Sequence, residues 1–231
     1  MAIRTYSGRV ADAIAFSRRP VHVAWGSGET TWHETYSEPH LFDANNTFKV
    51  DHTPVAAFEL RGPDNQLYKP DSDYYVVAVT GMVVRPITGS TIPDGVELTA
   101  IYKTSAPDLT GLETGLASEI GRRRAQSIQF IVPDPEGPID DAFKQRWAVS
   151  AEPTNTLLIS VKFGYDEAPD AIIQEFGIFV DTVARPEIPP GQDYLTPDQI
   201  EHPGYLHTIE HVTPVIRSAT KRDGADIFIE F

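Results

Sequence analysis

The sequence predicts a mainly β protein: an antiparallel sheet or sandwich core, an inserted β module and one or two short helices. Three observations carry this. Apolar residues alternate with polar ones in short segments bounded by turn residues. Nineteen prolines and 16 glycines punctuate the chain too often for long helices. Hydrophobic residues make up 41% and aromatics 10%, enough for a sizeable core and too many for a disordered chain.

The elements follow in order. RVADAIAFSRR, residues 9–19, has helical spacing at Val10 and Ile14, with Arg18 and Arg19 in the last turn and Pro20 as the stop. VHVAWG reads as a strand with Val21, Val23 and Trp25 on one face, ended by Gly26-Ser27-Gly28. Residues 29–53 are polar and read as irregular. From Pro54, VAAFELRG, YYVVAVTGMVVRP and VELTAIYKT read as strands. The turns between them carry Gly62-Pro63-Asp64-Asn65, Thr88-Gly89-Ser90 and Pro93-Asp94-Gly95. In the third strand Leu98, Ala100 and Tyr102 alternate with Thr99, Ile101 and Lys103, a half-buried pattern. Residues 113–124 read as a short helix or turn, with Leu116, Ile120 and Arg124 on one face. SIQFIVP, RWAVSAE, TLLISVKFGY, AIIQEFGIFVDT, YLHTIEHVTPVIRSAT and ADIFIEF complete the strands. A proline-rich arm, Ala184 to Gly204, separates two of them. The change of texture places a β module at 43–112, inserted into a core domain made of 1–42 and 113–231.

Charge and composition narrow the function. The formal net charge is −14 and the pI about 4.8, which repels phosphate backbones and anionic lipid and so disfavours nucleic acid and membrane as partners. With no cysteine, disulfides and thiolate chemistry are excluded. MAIRTYSGRV lacks the apolar core of a secretory signal, and the run Tyr74–Val84 is too short to cross a bilayer as a helix. Synthesis in a cytoplasm is the expectation.

The sharpest catalytic motif is HTIEH, His207 to His211, which matches H-x-x-E-H. A zinc site of that type needs both histidines on one helical turn. Here Thr208, Ile209, Val212, Val215 and Ile216 favour a strand, on which the two histidines lie about 13 Å apart. His22, His33, His40, His52 and His202 are scattered. Gly26-Ser27-Gly28 lacks the rest of a phosphate loop. No catalytic, metal or cofactor residue is assigned. Glu175, a lone carboxylate in an apolar run, reads as a buried hydrogen-bond acceptor.

Four stretches, taken together and in order, resemble baseplate and tail-fibre-attachment structural proteins of contractile-tailed bacteriophages. They are VHVAWGSGETTW from Val21, EIGRRRAQSIQFIVPDPEG from Glu119, TNTLLISVKFGYDEAPDAIIQEFGIFVDT from Thr154, and PPGQDYLTPDQIEHPGYLHTIEHVTPVIRS from Pro189. They cover more than half the chain. The resemblance implies a structural virion protein made in the bacterial host cytoplasm. It would act by protein–protein assembly as a baseplate wedge or tail-fibre connector, in symmetric copies, without cofactor. Its partners would be other tail and baseplate proteins and tail fibres. The β module departs from the shorter family pattern. The candidate interface residues are Arg4, Arg9, Arg18 and Arg19 in a basic N-terminal segment, Arg122, Arg123 and Arg124 in the one tight basic run, and Tyr194 and Leu195 as apolar anchors on the arm. An arm folded back on its own domain is the competing reading. The alternatives to assembly are a carbohydrate- or receptor-binding β module, with Trp25, Trp32 and Tyr36 as its platform, and a metal-dependent hydrolase resting on HTIEH alone.

Overall fold

The structure is a computed structural model that describes residues 3–141, 143–218 and 224–231. In chain order, helix α1 (Tyr6–Ser17) precedes β1 (Val21–Gly26), β2 (Thr35–His40), β3 (Thr47–Lys49), β4 (Val55–Arg61), β5 (Tyr75–Val77), β6 (Met82–Val84) and β7 (Leu98–Thr104). Then come β8 (Glu119–Arg124), β9 (Ser127–Pro133), β10 (Ile139–Asp140), β11 (Arg146–Val149), β12 (Thr156–Lys162), β13 (Ile172–Val180) and β14 (Val183–Ala184). Last are β15 (Tyr194–Leu195), a 3-10 turn at Pro197–Gln199, β16 (Ile200–His202), β17 (Tyr205–Ile216) and β18 (Gly224–Glu230). The chain is mostly β, as its alternation predicts. It divides into two compact units, one of residues 1–28 with 111–231, the other of 29–110.

The first unit is a sandwich of two five-stranded sheets, ordered β15-β8-β1-β13-β17 and β10-β11-β9-β12-β18. β1 is buried at all six positions because it lies between β8 and β13. Its Val21, Val23 and Trp25 meet Leu157, Ile159 and Val161 of β12 and Ile229 of β18 in one core. The helix closes this core with Ala13 and Phe16. It starts at Tyr6, earlier than the apolar spacing predicts, because the Thr5 hydroxyl accepts from the Gly8 amide at 3.2 Å and caps it. It ends at Ser17, so Arg18 and Arg19 lie just beyond the last turn.

Residues 119–124 form a strand, not the short helix or turn expected. Pairing with β1 overrides a weak helical pattern already broken by Gly121. A β-bulge sits where Trp25 pairs with Gly121 but Gly26 pairs with Glu119. Residues three apart on a regular strand point to opposite faces; the extra residue turns Glu119 and Arg122 to the same face. The expected strand after the arm is β17, and its last two residues, Ala219 and Thr220, lie outside the described residues.

The second unit holds two three-stranded sheets, β2-β7-β4 and β3-β6-β5. Phe48, Leu60, Tyr74, Val83, Leu98 and Tyr102 lie in its core. Burial along β7 alternates as its sequence does. Residues 29–53 are not irregular: β2 pairs with β7 in unbroken register from Thr35–Lys103 to His40–Leu98. Its polar side chains hid it, because its residues alternate only between exposed and half-buried. Residues 29–42, which texture alone assigns to the core domain, therefore pack within this unit.

Candidate functional site

The candidate interface residues fall into three groups. In the N-terminal segment, Arg9 lies 3.5 Å from Glu230, and Arg19 pairs with Asp181. The Arg19 guanidinium holds the Asp181 carboxyl below the usual carboxylate range, first by hydrogen bonding and then by its charge. Arg4 makes an exposed pair with Asp12 at 3.4 Å, and Arg18 is exposed. Three of the four cations are thus paired within the unit, Arg4 only through an exposed pair, and Arg4 and Arg18 face solvent.

The basic run is not a docking patch. Arg122 is 1% exposed. Its Nε and Nη2 donate to the two Glu119 oxygens at 2.8 and 2.7 Å, and its Nη1 to the Thr182 hydroxyl and the Pro203 carbonyl at 2.7 and 2.6 Å. The guanidinium stacks 3.7 Å from the Phe179 ring centroid. Arg123 pairs with Glu167 and approaches Asp193 at 3.7 Å. Only Arg124 is exposed. The acids expected on a partner are supplied by the chain itself: strand alternation aims Arg122 and Arg123 at opposite faces, and the bulge brings Glu119 to the face of Arg122.

The arm is also folded back on its own unit. β15 adds to the edge of β8, with Tyr194 opposite Arg123 and Leu195 opposite Arg122. Leu195 is 3% exposed. Tyr194 stacks on Trp25 at 5.5 Å between centroids. It can do so because β8 has Gly121 beneath it: a Cβ there would stand 2.4 Å from the phenol oxygen. Burial, with Glu167 next in effect, pushes the Tyr194 hydroxyl up to about 12. Leu195 is buried and Tyr194 is half-buried against the core, so neither is an exposed anchor.

The histidines are structural in geometry. His207 and His211 lie on β17, as their β-branched neighbours predict. His207 packs edge-on to Phe16 at 4.7 Å and against Phe231, while His211 stands 3.6 Å from Glu175. Among the described residues, no group of three or more His, Asp or Glu is placed to hold a metal. His40 stacks on Phe48 and bonds Glu38 at 3.1 Å; His52 stacks on Tyr36. None of the three platform candidates presents an open ring: Trp25 and Trp32 are buried and Tyr36 is half-buried between His52 and Tyr102. The second unit does carry a polar cleft of ≈ 720 Å³ lined by Phe42, Asp43, Asn46, Arg85 and Asp94. The Arg85 guanidinium there donates to Asn46 at 2.9 Å and to the Ile92 carbonyl at 3.1 Å, so its donors are already used.

His22 is 7% exposed, and its pKa falls from 6.5 to about 4, first through burial and then through the charges of Arg122 and Arg124. The unfolded chain therefore takes up this proton near pH 6.5 and the folded one only near pH 4. Stability should decline as pH falls through that window, by on the order of 3 kcal/mol from this group. Unfolding curves from pH 7 to 4.5 should be measurably flatter in His22→Gln than in the wild type; parallel curves would remove His22 as the source.

The sequence of the sandwich decides the family. The family described as "baseplate wedge 3 tail fiber network component" matches residues 1–46 and 98–231. The chain belongs to this family. It is thus a structural component of a phage baseplate, a part of the virion tail, as the four stretches suggest. The matched residues include the whole sandwich, and the unmatched ones, 47–97, lie entirely in the second unit. No curated protein matches the chain.

Sequence reasoning missed two places. Arg217, 1% exposed, lies over Trp25 and Phe163 and donates to the Gly164 carbonyl at 2.7 Å; nothing in VTPVIRS marks it as buried. The other is the pair of edges, on β17 and β18, that have no strand neighbour among the described residues. Their signal is an acid in the middle of each strand, Glu210 and Asp226.

Proposed function

We propose that this chain acts by protein–protein assembly, as a wedge or fibre-connector subunit present in symmetric copies around the tail, with a structural rather than catalytic role. The observation that carries the reading is the family match across the whole sandwich. The solvent-facing Arg4 and Arg18 on a protein of net charge −14 supply one docking surface, suited to an acidic neighbour. Residues 29–110 act as an inserted module with contacts of its own, consistent with the unmatched stretch inside it.

Removing the N-terminal segment would be an ambiguous test, because Phe16 is 4% exposed and sits in the core; losing a buried phenylalanine costs about 3–5 kcal/mol. Charge reversal is cleaner. Arg4→Glu with Arg18→Glu should leave stability within about 0.5 kcal/mol of the wild type, as surface changes do. The same double variant should be depleted about ten-fold from particles, the loss of roughly 1.4 kcal/mol of docking energy. Particle protein would be quantified after infection complemented with each form. Undiminished incorporation would overturn this surface as a docking site.

A further inference from the structure

Among the described residues four strands of the sandwich have a single neighbour in their sheets: the two-residue β15 and β10, and the much longer β17, which pairs with β13, and β18, which pairs with β12. The last two end their respective sheets, and a groove of ≈ 340 Å³ runs between them. Phe176, Ile178, Val212 and Ile227 contribute its apolar walls and Glu210 its charge, while the Asp226 carboxylate accepts from the Ser160 hydroxyl at 2.6 Å on the outer face of β18. Among the described residues no basic one lines it. β17 is twelve residues long, and its proline, Pro214, lies near its end. The stretch Leu206–Thr213 therefore offers a proline-free ladder of about 26 Å. Long free edges of this kind recruit another strand unless something blocks them.

The chemistry specifies the occupant. The free ladders of both edges call for extended backbone. The apolar walls call for apolar side chains at alternate positions, since those of a strand point alternately to either side. Glu210 would be desolvated beneath a covering strand, which is costly unless a cation meets it. Building on the assembly reading above, we infer that the groove between β17 and β18 takes an extended segment of another tail protein, apolar at alternate positions and carrying a lysine or arginine that meets Glu210.

The test places a photo-crosslinking amino acid at Thr208, which lines the groove, in the full chain within infection-assembled particles, and sequences the captured peptide. The expected product is a segment of a different tail protein with alternating apolar residues and a lysine or arginine. Glu210→Lys should cut both that product and incorporation about ten-fold, and Glu210→Gln by less. A cross-link to a second copy of this chain, to its own residues 219–223, or to a segment lacking a cation would overturn the inference. So would no cross-link in particles that contain the chain. The capture itself uses native Glu210, so it stands even if Glu210→Lys fails to fold. Absence of the chain from purified particles would instead overturn the assembly reading.

Discussion

Arg122→Ala should lower the stability of the sandwich by about 3–5 kcal/mol, the range for removing one partner of a buried ion pair. The guanidinium joins four places in the fold. It holds Glu119 on its own strand through two parallel hydrogen bonds, and it reaches Thr182 after β13 and the carbonyl of Pro203 at the end of the arm. It also covers the ring of Phe179. Alanine would leave a largely buried carboxylate without its cation, and a hydroxyl and a carbonyl without their donor. Arg122→Lys should recover little, because an ammonium cannot pair side-on with a carboxylate and reach the two other oxygens at once. Hydrogen exchange of the β1 and β13 amides would report this unit separately from the other. A loss below about 1 kcal/mol would mean that the pairing adds almost nothing net, as exposed ion pairs do.

That residue also shows where sequence reading stops. Strands with period-two alternation or continuous apolar runs were legible: β1, β7, β9, β12 and β13 stand where their side chains say they should. Legibility came from burial, which leaves an apolar imprint on one or both faces. β2 left none, since TYSEPH is held by ladder hydrogen bonds to β7 and its side chains remain partly wet. The arginine run was misread for a related reason. Three adjacent cations look like a surface patch, yet on a strand neighbouring side chains point to opposite faces, and one inserted residue before them brings Glu119 to the face of Arg122. The acids that neutralise them lie close in sequence for Glu119 but far away for Glu167 and Asp193. The arm was misread because Tyr194 and Leu195 are legible as apolar, but not as belonging to a sheet edge over Gly121. Apolarity says that a residue will be covered; it does not say by which chain.

Glu175 is the case in which a local rule named the role and tertiary structure raises its size. A carboxylate inside IIQEFGIFV must have partners, and its loss, judged from sequence, costs about 1–3 kcal/mol. In the fold it is 0% exposed. It accepts from the Ala117 amide at 3.0 Å and weakly from the Ser118 amide at 3.4 Å, and its other oxygen lies 3.6 Å from the His211 ring. It thereby fastens the segment entering β8 to the outer face of the β1–β13 pair. The fit is tight: a Cβ on Gly26, opposite it on β1, would stand 2.6 Å from the carboxylate. Glu175→Ala removes the acceptor from two backbone donors and leaves a void, two penalties that act together. The expected loss is about 3–5 kcal/mol by the same exchange measurement, with the Ala117 and Ser118 amides deprotected first. Glu175→Gln keeps one acceptor oxygen of the same reach and should lose less than half as much. Equal losses in the two variants would mean that charge facing His211, rather than hydrogen bonding to residues 117 and 118, holds this wall of the sandwich together.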